Sequence, residues 1–345
     1  MMSAGTPTDR EDLAARLGAH LSAHFGRTAE IRGLSRLTGG TSNDTWAFDA
    51  CLAGPPEELL PLVLRRSFAT GPVDMGLETE FEIIAALHRQ GLPVPKPYTC
   101  AAAPSPLATP FMVVGRAAGT DLRKVLARDA GRLPRSEIGR SLVAVQVRIH
   151  EMDWQAALRH TLPPVAANGA LAETEKWAPA IESDEGAAHP LLLAALDWLR
   201  ANAPGNGRIC LVHGDFKANN LLFGDGALSA VIDWEMAHLG DPLEDLAWTL
   251  LWRTRDDLVN GLLPPDDYID AYEAASARSV DRERLFFWRI FAHMKLAAMF
   301  LRGLRTGPEA AFVRPTNALL GRSIPYLERQ LADFLLMAQH RRAAP

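Results

Sequence analysis

Apolar residues recur at helical spacing through EDLAARLGAHLSAHF (11–25), which predicts an amphipathic helix capped by Thr8 or Asp9. The pattern then changes period. Short apolar runs at AEIRGLSRL (29–37), TWAFDA (45–50) and LLPLVLRRSF (59–68) predict strands, the first two joined by the Gly-containing turn TGGTSND (38–44). ETEFEIIAALHRQG (78–91) has apolar residues at 81, 84 and 87 and a terminal glycine, the pattern of a helix with a glycine cap. In LPVPKPY (92–98), Pro93, Pro95 and Pro97 exclude helix and require extended chain. FMVVGRAAG (111–119) reads as a buried strand that runs out into a linker.

From residue 120 the period becomes helical. Helices are predicted at DLRKVLA, SEIGRSLVAVQVRIHEMD (136–153), ALAETEKWAPAI, HPLLLAALDWLRANAPG (189–205), PLEDLAWTLLWRT, PDDYIDAYEAAS, DRERLFFWRIFAHMKLAAMFLRGL and NALLGRSIPYLERQLADFLLMAQ. One segment breaks this run. LLFGDGALSAVID reads as a strand, a Gly-Asp-Gly turn and a second strand. The chain therefore divides into an N-terminal extension (1–26), a β-rich part with one helix (27–117) and a mostly helical part (118–345), an α+β organisation.

Composition narrows the partners. A chain of 345 residues accommodates two lobes, and 48% apolar with 22% charged residues suits a large buried core. A net charge of −5 argues against a nucleic-acid partner gripped by a basic surface. Cys51, Cys100 and Cys210 lie far apart, without zinc or redox spacing. There is no apolar signal core and no run of the ~20 apolar residues that spans a bilayer, so a cytoplasmic protein without a membrane partner is expected.

The chemistry concentrates in LVHGDFKANNLLFGDGALSAVIDWEMAHLGDPLEDLAW (211–248). Asp215 follows an apolar run, Asn220 lies five residues on, and Asp233 ends the second strand of the predicted hairpin. One acid to receive a hydroxyl proton, with an amide and an acid to hold metal, is the apparatus of phosphoryl transfer from a nucleotide. Hard oxygen ligands such as Asn220 and Asp233 suit Mg²⁺. The plain alternatives are turn residues for Asp215 and Asn220 and a helix cap for Asp233, although no helix start is evident after it. Lys217 either neutralises charge on the transferring phosphoryl group or is a solvated loop lysine. Gly39, Gly40, Thr41, Ser42 and Asn43 offer amides and hydroxyls to phosphates, or form a hairpin turn. Arg65 or Arg66 could pair with phosphates, with Glu80 on the following helix as partner, and Arg65 is favoured because it directly follows the apolar run. Asp241 before Pro242 reads as a helix cap, and Asp245 as an inward-pointing acid that holds the catalytic loop. His213 reads as a loop support, His150 as a core or helix-end histidine, and Trp234 and Trp248 as core. Arg253, Arg255, Arg289, Lys295, Arg302 and Arg305 suggest a negatively charged acceptor.

HGDFKANN, VIDWE and GDPLEDLAW together resemble the aminoglycoside phosphotransferase family of the protein-kinase-like superfamily. VLRR, ETEFEIIAAL and LPVPKPY look like the branch associated with acyl-CoA dehydrogenases. The resemblance implies a bilobal kinase-like fold, with an antiparallel sheet and helix in the small lobe. It implies transfer of the γ-phosphate of ATP or GTP to a hydroxyl, with Asp215 as base, Asn220 and Asp233 on Mg²⁺, and the 38–43 loop over the nucleotide. The acceptor is then a small molecule such as a hydroxyacyl-CoA; an aminoglycoside or macrolide, or a non-catalytic nucleotide-binding role, are the alternatives. A protein kinase is disfavoured, because no long activation segment separates Asp233 from GDPLEDLAW.

Overall fold

A computed structural model describes residues 7–37, 43–67, 75–128, 131–183, 188–305 and 328–340. The chain forms two compact units, one from residues 1–122, 155–162 and 220–236, the other from 123–154, 163–219 and 237–345.

In the first unit, α1 (Pro7–Phe25) buries Leu13, Leu17 and Leu21, one residue per helical turn, and packs on β1 (Ala29–Arg36). β2 (Asn43–Leu52) and β3 (Glu58–Ser67) follow, then α2 (Leu77–Arg89), β4 (Pro97–Ala101) and β5 (Phe111–Gly115). They form an antiparallel sheet in the order β1-β2-β3-β5-β4. Leu62 and Leu64 of β3 join Phe48, Phe111, Val113 and the α1 leucines in one core. Full burial of each such side chain stabilises by about 1.5–3 kcal/mol. The two-residue period of a strand turns Arg65 away from that face. α2 buries Glu80 together with Ile83, Ile84 and Leu87.

The chain continues through β6 (Thr120–Asp121), α3 (Leu122–Arg128), α4 (Arg135–Glu151), α5 (Trp154–Leu158), α6 (Gly169–Ile181) and α7 (Pro190–Asn202) to β7 (Cys210–Val212). The predicted hairpin is β8 (Leu221–Gly224) and β9 (Ala227–Val231), and it belongs to the first unit. Asp225 (φ 51°) and Gly226 (φ 78°) close it with the two left-handed residues of a type I′ turn. Gly119 (φ 94°) lies against this hairpin, and a Cβ there would sit 2.3 Å from the Phe223 carbonyl oxygen, so only glycine fits.

β10 (His238–Gly240) pairs antiparallel with β7 in the second unit. α8 (Pro242–Leu251), α9 (Pro265–Ser276) and α10 (Arg282–Arg305) complete that unit, with a further helix at 328–340. Nine of the ten residues of α8 are buried, including Glu244 and Asp245. α8 packs on α10, and Trp248, Trp288 and Phe291 belong to the same core. The predicted last helix began at 317; residues 317–327 lie outside the described residues. No helix among the described residues is long and apolar enough to cross a membrane.

Candidate active site

The loop after β7 carries Asp215 in the second unit. Gly214 (φ 79°) precedes it in a conformation that suits glycine. Asp241 caps α8, accepting a hydrogen bond from Leu243 N at 2.9 Å. One turn on, Asp245 Oδ2 accepts from His213 N (2.7 Å) and Oδ1 from Gly214 N (2.8 Å). His150 Nε2 lies 3.2 Å from the same carboxylate, and the Tyr272 hydroxyl 2.7 Å from His150 Nδ1. Burial works against the Asp245 charge, but the His150 hydrogen bond, the two histidines and the backbone amide outweigh it and hold the carboxyl at about 2.

Asp215 is 6% exposed. Its amide donates to His213 Nδ1 (3.1 Å), Trp248 Nε1 donates to Oδ1 (2.9 Å) and Lys217 Nζ donates to Oδ2 (2.7 Å). The Lys217 ammonium also lies 5.1 Å from the Trp252 ring centre. Asn260 Oδ1 accepts from Ala218 N at 3.0 Å. Two supports were hidden in the sequence: Trp248, read there only as core, and Asn260, which no motif reaches. Trp248 lies three residues after Asp245, so helical geometry puts both on one face.

Lys295 corrects an expectation. It was grouped with cations that attract an acceptor, but only 2% of its side chain is exposed. Its ammonium donates to Gly214 O (3.0 Å) and Glu244 Oε1 (3.1 Å), because a buried ammonium must be paired. Arg302 likewise donates to Lys176 O and covers the Trp177 ring, and Arg253 pairs with Asp257.

The other candidates lie in the first unit. Arg65 is ion-paired with Glu80, and its Nη2 lies 3.4 Å from Asp233 Oδ1 and 3.5 Å from Glu235 Oε2. Arg66, the alternative to Arg65, points to the opposite face and pairs with Asp44. Burial, with Asp233 adding to it, raises the Glu80 carboxyl above its ordinary value. Glu80 Oε1 also accepts from Trp234 N at 3.2 Å. Asp233 (φ 72°) immediately precedes a 3-10 turn, Trp234–Met236, so a short helix does begin where none was evident. At the open end of the hairpin Ile232 N donates to the Asn220 carbonyl at 2.9 Å, which brings Asn220 beside the Asp233 segment. Asn43 Nδ2 lies 3.4 Å from Glu235 Oε2. Gly39, Gly40, Thr41 and Ser42 lie outside the described residues. Three carboxylates thus surround one guanidinium, and such hard oxygen groups suit a divalent cation such as Mg²⁺.

A model described as the phosphotransferase enzyme family matches residues 33–288. The chain belongs to that family. Among curated proteins, this phosphotransferase-family chain is 31% identical to acyl-CoA dehydrogenase family member 10 of Mus musculus over 196 residues, which are 55% of this chain and 18% of that protein. It spans only 18–30% of the length of the first three such relatives. In fold it resembles a candidate aminoglycoside phosphotransferase from Ralstonia eutropha JMP134, with a TM-score of 0.69, 19% identity, and coverage of 92% of this chain and 98% of that one. It also resembles an aminoglycoside phosphotransferase APH(4)-Ia mutant in ternary complex with AMP-PNP and hygromycin B, with a TM-score of 0.56, 19% identity, and 91% and 98% coverage. The expected kinase-like α+β fold is thereby borne out.

One further cluster in the second unit has metal-like composition: ligand atoms of Glu173, His238 and Glu244 lie within 4.8 Å of one another. Burial disfavours charge on His238, yet Glu173 and Glu244 outweigh it and raise the imidazole to about 9. The protonated ring and its two carboxylates, 3.8 and 3.0 Å away, form an ion triad. Because the folded value lies above 6.5, the triad's contribution is fully present below about pH 6.5 and is lost as pH rises through about 9. His238→Gln is therefore expected to lower unfolding stability at pH 6 by on the order of 2 kcal/mol and to matter little at pH 10. Denaturant melts at both pH values check this; an equal loss at both would show that packing alone is involved.

Proposed function

We propose that this chain transfers the γ-phosphoryl group of ATP to a hydroxyl of a small molecule, with Mg²⁺. GTP is the alternative donor. The observation that supports it most is the Asp215 carboxylate, nearly buried, oriented by Trp248 and paired with Lys217. Asp215 receives the acceptor's hydroxyl proton as the oxygen attacks phosphorus. Lys217 leaves Oδ2 and neutralises charge on the transferring group. Asn220 and Asp233 would hold Mg²⁺, which when bound neutralises the β- and γ-phosphate oxygens. Arg65, fixed by Glu80, provides positive charge for the phosphates, and the part from 27 to 117, with Gly39, Gly40, Thr41, Ser42 and Asn43, binds the nucleotide. The nucleotide assignment draws on the AMP-PNP bound in the APH(4)-Ia mutant.

A hydroxyacyl-CoA is the acceptor class we favour. The first curated relatives are acyl-CoA dehydrogenase family members, and negatively charged acceptors call for cations. Arg289 is such a cation: among the described residues its guanidinium covers the Phe334 ring at 4.8 Å and has no carboxylate within salt-bridge distance. Hydroxyacyl-CoAs, hygromycin B, a macrolide and choline, each incubated with ATP or GTP and Mg²⁺, provide the test. The expected result is ADP formation with a hydroxyacyl-CoA that gains one phosphoryl group. Turnover only with an antibiotic would overturn the acceptor assignment. No turnover, together with no nucleotide-dependent thermal shift with or without Mg²⁺, would overturn the reaction.

A further inference from the structure

We propose that Trp248 is a positioning residue for phosphoryl transfer, its indole N–H fixing which way the Asp215 carboxylate faces; this rests on the proposed role of Asp215. A carboxylate turns about its terminal torsion in a broad, two-fold well, so its own geometry does not select one oxygen for the acceptor. Lys217 and Trp248 break that symmetry. Lys217 reaches Oδ2 at 2.7 Å on a long, flexible stem, with 21% of its side chain exposed. Trp248 reaches Oδ1 at 2.9 Å from a ring 1% exposed, on the most buried helix of its unit. The mobile partner can leave; the rigid one cannot. Oδ1 is therefore the fixed oxygen and Oδ2 the one turned to the acceptor.

The support beneath Trp248 is the same that holds the loop. Asp245, three residues earlier on α8, fixes the amides of His213 and Gly214. Lys295 donates to the Gly214 carbonyl and places its ammonium 4.9 Å from the Trp248 ring centre, within cation–π range. The loop backbone and its carboxylate are thus referenced to one turn of one helix. Comparison with other tryptophans separates this role from core filling. Trp198, Trp252 and Trp288 of the same unit leave buried indole N–H groups without a partner among the described residues. Trp248 gives its N–H to the candidate base.

The test replaces Trp248 by 3-benzothienylalanine, which keeps the bicyclic shape but has sulfur in place of N–H, and separately by phenylalanine. Turnover is read as ADP formation with the acceptor found active, and with water as acceptor. The expected result for both is a fall in kcat of about 10- to 100-fold, the effect of losing one hydrogen bond to a charged group, with KM for ATP changed less than about twofold. The benzothienyl form should stay folded, its melting temperature falling by only a few degrees, as the loss of one hydrogen bond implies. Its wild-type kcat, or a change confined to KM, would overturn the inference. If the wild-type chain turns over no nucleotide, the phosphotransferase reading fails separately, and the indole signal decides the contact. In Asp215→Asn the Trp248 N–H resonance should move while those of Trp198 and Trp288 stay; an unmoved Trp248 resonance would sink the positioning role.

Discussion

Asp215→Asn is expected to lower kcat by about 100- to 10,000-fold while nucleotide affinity stays within about twofold. The substitution is nearly isosteric. The asparagine carbonyl still accepts from Trp248 Nε1, and His213 still accepts from the backbone amide at 215. What disappears is a group that takes a proton and the negative partner of Lys217. The residues proposed to hold nucleotide and metal, Arg65, Glu80, Asn220 and Asp233, belong to the other compact unit. Steady-state turnover and nucleotide titration of the purified variant separate the two effects. Activity near wild type would remove Asp215 from the base role. A parallel loss of nucleotide binding would mean that the substitution damaged the fold.

The second large effect is on stability. Asp245→Ala strips the acceptor from two buried amides, His213 N and Gly214 N, and from His150. Each orphaned buried donor costs about 1–3 kcal/mol, and breaking a buried charged network by removing one partner costs about 3–5 kcal/mol. A loss of about 3–5 kcal/mol is expected in denaturant unfolding at pH 7. Asp245→Asn should lose less, because one amide oxygen replaces two carboxylate oxygens. The sign with pH is also fixed. The folded carboxyl titrates at about 2, below its ordinary 3.8, so its contribution is present above pH 3.8 and fades as pH falls towards 2. A variant that loses under 1 kcal/mol at pH 7 would show that water or a shifted backbone replaces the acid.

The α2 segment was legible because its apolar residues repeat at helical spacing and a glycine follows it, and the β8–β9 hairpin because Gly-Asp-Gly sits between two apolar runs. Local chemistry determines such elements: turn conformations and burial periods act over a few residues. Three readings needed more. Arg65 against Arg66 was a question of strand face, decided when Leu62 and Leu64 entered the core with the α1 leucines. The short helix after Asp233 was unreadable because its three residues are too few to show a period. Lys295 looked like a solvent-facing cation because sequence gives charge but not exposure.

The sequence by itself determined the candidate residues and their order along the chain: an acid at 215, an amide at 220, an acid at 233, and after them a capped helix from Pro242. It also showed a β-rich stretch with one helix (27–117) followed by a mostly helical one, since each strand or helix reports its period locally, but the packing assigns the β8–β9 hairpin to the first unit. The tertiary structure alone decided who supports whom. It assigned Trp248 to the Asp215 carboxylate, Lys295 to Gly214 and Glu80 to Arg65, across separations of 15 to 81 residues. The reason is physical. Buried polar groups must find partners when water is excluded, and which partners are within reach is set by the packing of helices and strands rather than by neighbours along the chain.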